Sequence, residues 1–483
     1  MNKTCKIALP YVRIDDPHLC TDSHALLCIR RLMFPGLLNH NGKTAEGVLC
    51  EKWTCENEGK TWTFHLKQGL RFSNGREVRS EDVVYSLHRA SSPEIQGQLF
   101  TVTYAEYIGG AKLSVIGPYS VRLDNPEPIA DLAELLTDLS ILPEGWKSYE
   151  DGTGAGPYGL ESFTGDSAVL KLRSGKNSSS VAGHGDIPGQ PGVSVLPERL
   201  EFIAVSEPAE RLNAVLGSEV SAALDPPFHA LRDLEGNPAV SAAGWSSSLS
   251  VIFLMQCGAA PFNNIKFRQA LNYGVDKDRL IREVMYGRAK PLNGPFSDRH
   301  FAHDPSLPVY PHDPEKARLL LKESSLQHDF QLDIHAPTSI PDEGPKMAEF
   351  LARSYRSIGL QVEVHLHEDR MEYARQVAEK KLHGLFCFDS SPVSSYKVLH
   401  EKLDSRYAGT WWQGYHSERV NTLITQAAAS DNDGPRRDLY QQACRILHEE
   451  APWVFLFQPM RFWITGADFQ QSLPIDDSGY FKI

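Results

Sequence analysis

Two histidines separated by a single residue are the first side chains in this sequence whose spacing could do chemistry. His365 and His367 lie in the alternating segment LQVEVHLH (360–367), and a strand there would place both imidazoles on one face, where they could bind a metal ion. The surrounding residues supply no clear third ligand. We therefore interpret the segment as an exposed strand face and predict no metal site.

A second pattern, GAGPYG at 154–159, matches the G-x-G-x-x-G of dinucleotide-binding loops. Such a loop has to join a strand to a helix, whereas Pro157 and the alternating residues after it favour a turn into a hairpin. DNDG at 431–434 lacks the remaining ligands of a calcium loop and is typical of a turn. The sequence contains no G-x-S-x-G, H-E-x-x-H or P-loop motif, so it identifies no catalytic residue and no cofactor. A binding protein is favoured over an enzyme.

Composition excludes several kinds of partner. The chain has 483 residues, of which 41% are hydrophobic, and this length predicts two or three domains with sizeable cores. The formal net charge of −12 disfavours contact with a phosphate backbone. No apolar run approaches the roughly 20 residues that a membrane span needs. We expect no nucleic-acid partner and no membrane insertion.

The N-terminal segment and the cysteines bear on location. The only apolar patch near the start, Ile7 to Leu9, is shorter than the roughly 7–15 apolar residues of a secretory signal. As written, the chain is expected in the cytoplasm; it would be periplasmic or extracellular if a leader had been removed. The eight cysteines are scattered and include no C-x-x-C pair, which favours reduced, mostly buried thiols over a disulfide framework.

Strand and helix patterns alternate along the chain. TWTFHL (61–66) alternates like a half-buried strand, and the helix after it is predicted to be capped by Ser80. The segment 265–287 has the pattern of one helix, and 177–197 has the composition of a surface loop. Further elements follow in order: a helix from Asp313, a strand at 330–336, a helix at 344–359 and a strand at 360–367. This alternation indicates α/β layers.

Several segments together resemble the family 5 extracellular solute-binding proteins, which include dipeptide-, oligopeptide- and nickel-binding receptors of ABC importers. TWTFHLKQGLRFSNGREVRSEDVVYSLHRA (61–90) is similar to the family's strand, its G-x-x-F-x-x-G turn and its helix opening with Glu-Asp-Val. Four further segments resemble family elements in the same order: GTGAGPYGLESF, RLNAVLGSEVSAALDPP, APFNNIKFRQALNYGVDKDRLIREVMYGRAKP and LYQQACRILHEEAPWVFLFQP. The resemblance covers nearly the whole chain.

This resemblance implies an α/β, two-lobed fold of the periplasmic-binding-protein type II kind, with an extra subdomain inserted in lobe I. Lobe I would comprise residues 1–43, 152–245 and 453–483, the extra subdomain 44–151, and lobe II 246–452. Ligands of such proteins lie in a cleft between the lobes, which close by hinge motion. We also expect a monomer.

The resemblance further suggests which residues contact ligand. In peptide-binding members an aspartate of the second lobe pairs with the α-ammonium of the ligand, and the matching position in GLFCFDSSPVSSY (384–396) is Asp389. A desolvated carboxylate needs such a cationic partner. The remaining candidates are aromatic residues near Asp389 or in GTWWQGY (409–415) and a pair on an apolar strand: Phe388, Trp411, Trp412, Tyr415, Met255 and Gln256.

We therefore predict a solute-binding protein that captures a small peptide-like or other polar metabolite in an interlobe cleft and delivers it to an ABC permease. The alternative is a cytosolic member of the same fold, repurposed as a ligand sensor or as an enzyme of a biosynthetic pathway. The genuine 5′ end of the gene and a test for turnover of a bound compound would distinguish these possibilities.

Overall fold

The computed structural model describes residues 4–19, 23–95, 104–149, 152–173, 196–324, 326, 329–339, 343–467, 469 and 474–482. The chain forms two compact units, the first made of Met1–Trp245 with Arg461–Ile483 and the second of Ser246–Met460. Within the described ranges, none of the helices has the length and apolar character needed to cross a membrane. The predicted surface loop at 177–197 lies outside the described residues except for its last two positions.

The first unit contains most of the short strands. Its elements in chain order are β1 (Thr4–Leu9), α1 (His24–Met33), β2 (Leu38–His40), β3 (Ala45–Gly47), β4 (Cys50–Glu56), β5 (Thr61–Leu66), α2 (Ser80–Ala90), α3 (Ala105–Ile108), β6 (Lys112–Gly117), β7 (Ser120–Asp124), α4 (Leu132–Leu135), β8 (Tyr158–Phe163), β9 (Ser167–Leu172), β10 (Arg199–Ala204), α5 (Pro208–Leu216), β11 (Ala222–Leu224), a 3₁₀ helix (Phe228–Leu234) and β12 (Val240–Ser246).

The second unit alternates helices and strands. Its elements are β13 (Ser250–Met255), α6 (Ile265–Tyr273), α7 (Lys277–Val284), β14 (Ala289–Pro291), α8 (Pro314–Glu323), β15 (Gln331–Pro337), α9 (Gly344–Ser357), β16 (Gln361–His367), α10 (Arg370–Ala378), β17 (Leu385–Ser390), α11 (Ser395–Leu403), α12 (Glu418–Ala428), α13 (Asp433–Glu450) and β18 (Trp453–Gly466), whose last residues belong to the first unit.

The main sheet of the first unit is built on β1. This strand pairs in parallel with β10 and β11, while β9 and β8 continue the sheet in antiparallel pairings. Ile7, Ala8 and Leu9 are fully buried, as parallel strands covered on both faces require. A separate four-stranded sheet has the order β4-β5-β7-β6. In β5 the predicted alternation is present, with Trp62, Phe64 and Leu66 buried.

The predicted cap of α2 is wrong by one residue. Arg79 occupies the N-cap, and the Asp82 carboxylate accepts a hydrogen bond from its backbone N–H at 2.9 Å. The Ser80 hydroxyl donates instead to the carbonyl of Gly117 on the neighbouring strand. An acidic side chain in the first turn has therefore replaced the hydroxyl cap, which is favourable at the positive end of a helix.

The glycines of GAGPYG serve close packing. Tyr158–Phe163 and Ser167–Leu172 form the hairpin that the sequence favoured over a nucleotide loop. A Cβ at Gly156 would lie 2.2 Å from the carbonyl oxygen of Leu32, and a Cβ at Gly154 would lie 2.3 Å from that of Met33. Because no side chain fits at these distances, the two glycines let the turn lie against the end of α1.

The sheet of the second unit has the order β16-β15-β17-β13-β18. β15 and β16 run in parallel and are connected through α9, whereas β17 is antiparallel to β13. Leu332, Ile334 and Ala336 of β15 are fully buried, and the residues between them occupy the opposite face. The predicted strands at 330–336 and 360–367 are therefore present within one residue of their expected bounds.

The single helix predicted over 265–287 is two helices. α6 ends at Tyr273 with Gly274 as its C-cap, and α7 follows an Asp276 N-cap whose carboxylate accepts from the Arg279 backbone N–H at 2.9 Å. Periodicity alone missed this break because both helices bury apolar residues on a similar spacing. The described cysteines are free thiols, as expected, and all of them except Cys55 are buried; Cys20 lies outside the described residues.

A buried lysine in α7 gives this unit a pH-dependent stability. Lys277 is 4% exposed, and its Nζ has no hydrogen-bond partner among the described residues. Nζ lies 5.4 Å from the ring centre of Tyr310. Burial disfavours the ammonium form and lowers the pKa of Lys277 from 10.5 to about 7. Between these two pKa values the unfolded chain binds more protons, so stability rises with pH over that range.

We expect Lys277→Met to increase the free energy of unfolding at pH 6.5, by roughly 1.4 kcal/mol for each unit by which the pKa is lowered. The advantage of the variant should shrink at pH 9, where the folded wild-type lysine has already lost its proton. Urea unfolding at both pH values measures this, with the exposed Lys346→Met as the control. If the variant and the wild type differed in free energy of unfolding by the same amount at both pH values, burial would not lower the pKa of Lys277.

Candidate functional site

The predicted ammonium-binding residue is the second-last residue of a largely buried strand. In β17, Leu385, Phe386 and Cys387 are buried, whereas Phe388 and Asp389 are half-buried. β17 is held between β13 and β15, with Asp389 opposite Val251. The strand is thus buried on both sides of Phe388 and Asp389, the two residues of β17 whose side chains are partly exposed.

The residues after Asp389 are fixed by hydrogen bonds. The buried Lys402 of α11 donates from Nζ to the Ser390 hydroxyl at 2.8 Å, and the Ser248 hydroxyl donates to the Ser391 carbonyl at 3.1 Å. The hydroxyl of Ser394 accepts from the Lys397 backbone N–H and is the cap of α11. Asp389 is therefore not the cap of this helix, which removes one structural explanation for a carboxylate at this position.

A row of aromatic rings accompanies Phe388. Its ring lies 5.4 Å from that of Tyr373 and 4.9 Å from that of Trp411, measured between centroids. The Tyr373 hydroxyl donates to the Cys387 carbonyl at 3.0 Å, which ties α10 to the middle of β17. Such rings provide apolar contact area for a bound solute. Because adjacent strand residues alternate between faces, the rings and Asp389 approach the strand end from opposite faces.

The predicted aromatic residues of GTWWQGY have different surroundings. Trp411 contacts Phe388, and Trp412 donates from Nε1 to the Tyr415 carbonyl at 2.6 Å. Tyr415 is 3% exposed and donates its hydroxyl to Glu450 at 2.6 Å. The structure therefore brings Trp411 to the strand that carries Asp389, while Trp412 and Tyr415 are engaged within their own loop and with α13.

Met255 and Gln256 lie at the other end of the strand pair. Met255 is opposite Leu385 and fully buried, four residues along β17 from Asp389, or about 13 Å at 3.3 Å per residue. Gln256 donates from Nε2 to the Leu382 carbonyl at 2.6 Å. The structure thus does not bring these two residues together with Asp389. Their placement follows from the antiparallel pairing of β13 and β17, which no local pattern indicates.

Tyr373 and Lys402 were missed by sequence reasoning. Tyr373 lies in a helix, so its contact with β17 depends on how α10 packs and not on sequence distance. Lys402 resembles any charged residue of an amphipathic helix, and only its burial against Ser390 marks it as part of the strand end. Buried lysines are rare without partners, so burial was the missing signal.

Solved structures show the fold. A periplasmic binding protein DppA from Helicobacter pylori, in complex with the peptide STSA, matches with a TM-score of 0.77 and 19% identity, over 100% of this chain and 98% of that one. HbpA2 from Haemophilus parasuis matches with a TM-score of 0.79 and 19% identity, over 99% and 98%. The predicted α/β, two-lobed, type II periplasmic-binding-protein fold is confirmed.

The family follows from the sequence match. Residues 44–386 match the family described as bacterial extracellular solute-binding proteins, family 5 Middle, and the chain belongs to that family. Glutathione-binding protein GsiB from Escherichia coli K12 is 24% identical over 429 residues, covering 85% of this chain and 80% of that protein. Di/tripeptide-binding protein 2 from Pseudomonas aeruginosa is 24% identical over 450 residues, covering 86% and 81%. The chain is a solute-binding protein, as predicted.

Tyr415 offers a test of its structural role. We expect Tyr415→Phe to lower the free energy of unfolding by roughly 1–3 kcal/mol, because Glu450 loses a buried hydrogen-bond donor. Urea unfolding measures the change. Unchanged stability of Tyr415→Phe would show that the hydroxyl does not hold the loop.

Proposed function

We propose that this solute-binding protein captures a small peptide-like solute with a free amino group and that Asp389 binds the ammonium of the solute. The protein then delivers the solute to an ABC permease. The observation that carries the proposal is the position of Asp389, half-buried at the end of a rigidly held strand. A carboxylate that is partly desolvated binds an ammonium group more strongly than one in water.

The relatives support this class of solute. They include a glutathione-binding protein, a di/tripeptide-binding protein and structures in complex with the peptide STSA or the dipeptide Met-Leu, and each of these solutes carries a free amino group. Other relatives were solved in complex with Ni(L-His) or agropinic acid, so family membership alone does not select the solute. The carboxylate at position 389 favours the amino-bearing solutes over the rest.

Phe388 and Trp411 are half-buried and lie against each other near Asp389 in sequence, but on the opposite face of β17. They therefore stay predictions as ligand contacts. Met255, Gln256, Trp412 and Tyr415 stay predictions as ligand contacts. The division into lobe I, an extra subdomain and lobe II also stays a prediction, as do the monomeric state and the absence of a nucleic-acid partner.

The solute-binding function is favoured over the sensor and enzyme alternatives by the family match. The structural relative from Helicobacter pylori is an ABC transporter-associated protein, which supports a role in import for the solute-binding protein described here. We propose a monomeric receptor that loads a separate permease.

The test of the proposal is Asp389→Asn, measured by calorimetry with glutathione, Met-Leu and STSA as probes. Removing one charge of a desolvated pair should cost roughly 2–5 kcal/mol, a loss of affinity of about 30-fold or more, for whichever probe binds the wild type. Asp438→Asn, an exposed position on α13, is the matched control and should bind normally. A change of less than about twofold in Asp389→Asn, well below that cost, would remove Asp389 from the site.

A receptor for import has to meet its solute outside the cytoplasmic membrane, so we propose a periplasmic or extracellular location. Cell fractionation with the untagged native gene should recover the protein in the periplasm or the medium. Recovery in the cytosol alone would favour the sensor or enzyme alternatives instead.

A further inference from the structure

One face of the second unit's edge strands is rich in metal-binding side chains. β15 and β16 pair in parallel with His335 opposite His365 and Pro337 opposite His367. Since strand residues alternate, Asp333 and His335 share a face with His365 and His367, and this is the face opposite the buried row of β15. The neighbouring strand thus supplies the third ligand that the pair at 365 and 367 lacks in sequence.

Two distances among these four side chains match those between ligands of one ion. Asp333, His335 and His365 each offer a ligand atom, and the three atoms lie within 4.8 Å of one another. Asp333 Oδ1 is 3.3 Å from His365 Nε2, and His335 Nδ1 is 3.1 Å from His367 Nε2. Around a tetrahedral ion with bonds of about 2.0–2.1 Å, adjacent ligand atoms lie about 3.3 Å apart.

The central imidazole is already oriented for a metal. His335 Nε2 lies 3.0 Å from the carbonyl oxygen of His383, and because a carbonyl only accepts, Nε2 carries the proton and Nδ1 has the lone pair. A backbone carbonyl on the far nitrogen is the usual partner of a metal-bound histidine.

We propose that Asp333, His335 and His365, with His367 as the fourth ligand, bind a divalent transition-metal ion such as Zn²⁺. Three imidazoles and one carboxylate suit Zn²⁺ and its first-row neighbours, whereas Mg²⁺ and Ca²⁺ prefer oxygen ligands throughout. The ion would fasten the edge strand β16 to β15. It would also fix His367, whose ring lies 4.7 Å from Tyr373, the tyrosine that packs on Phe388.

Zinc titration of the full chain after removal of metals with a chelator tests this. Calorimetry with ZnCl₂ should show one saturable site, and His365→Ala and Asp333→Asn should each weaken it at least about tenfold. His88→Ala, at an exposed histidine of α2, is the matched control and should bind Zn²⁺ like the wild type. Co²⁺ should produce a visible absorption band in the wild type and the control that both variants lack.

Two further measurements keep a negative result informative. His365 is about one-third exposed on an edge strand, so its truncation should leave the circular dichroism of the metal-free protein unchanged. Zn²⁺ should raise the melting temperature of the wild type but not that of the variants, because only a folded site binds it. The proposal would be overturned if the wild type showed no saturable Zn²⁺ binding. It would also be overturned if both variants bound Zn²⁺ as well as the control does, because the bound metal would then be an adventitious ion only.

Discussion

The pairing of β17 between β13 and β15 is the constraint on which the site depends. Ser250 opposite Ser390 and Ile334 beside Leu385 fix the register of the strand from both sides. A slip of one residue would turn every side chain of β17 to the opposite face of the sheet. Phe388 would then no longer pack on Tyr373. A slip of two residues would move the Asp389 carboxylate into the buried position of Cys387, where its desolvation is costly.

Sequence reasoning succeeded where signals were local or shared with the family. The alternation in β5, the strands β15 and β16, and the hairpin at GAGPYG were predicted from local periodicity and turn residues. The family and the fold followed from several motifs in order, which tolerate low identity better than any one motif does. The match of 24% identity over most of the chain is consistent with that.

Predictions failed where a competing local interaction or a long-range pairing decided the outcome. Asp82 took the capping role expected of Ser80, and the Asp276 cap divided the helix expected over 265–287. The position of Met255 was unpredictable because the antiparallel register of β13 and β17 joins residues more than a hundred positions apart. The nearness of Asp333 and His335 to His365 was missed for a similar reason: a β-α-β connection places them beside His365, about thirty residues later in sequence.

The fold and the solute-binding function belong to the family, whereas the proposal of an amino-bearing solute rests on the carboxylate at position 389. Native mass spectrometry of the full chain, mixed with small peptides and their N-acetylated forms, tests that choice most directly. We expect one-to-one complexes with free-amino peptides that disappear on acetylation, because acetylation removes the positive charge that Asp389 would bind. Complexes of equal abundance with acetylated peptides, or none with any peptide, would contradict this choice of solute.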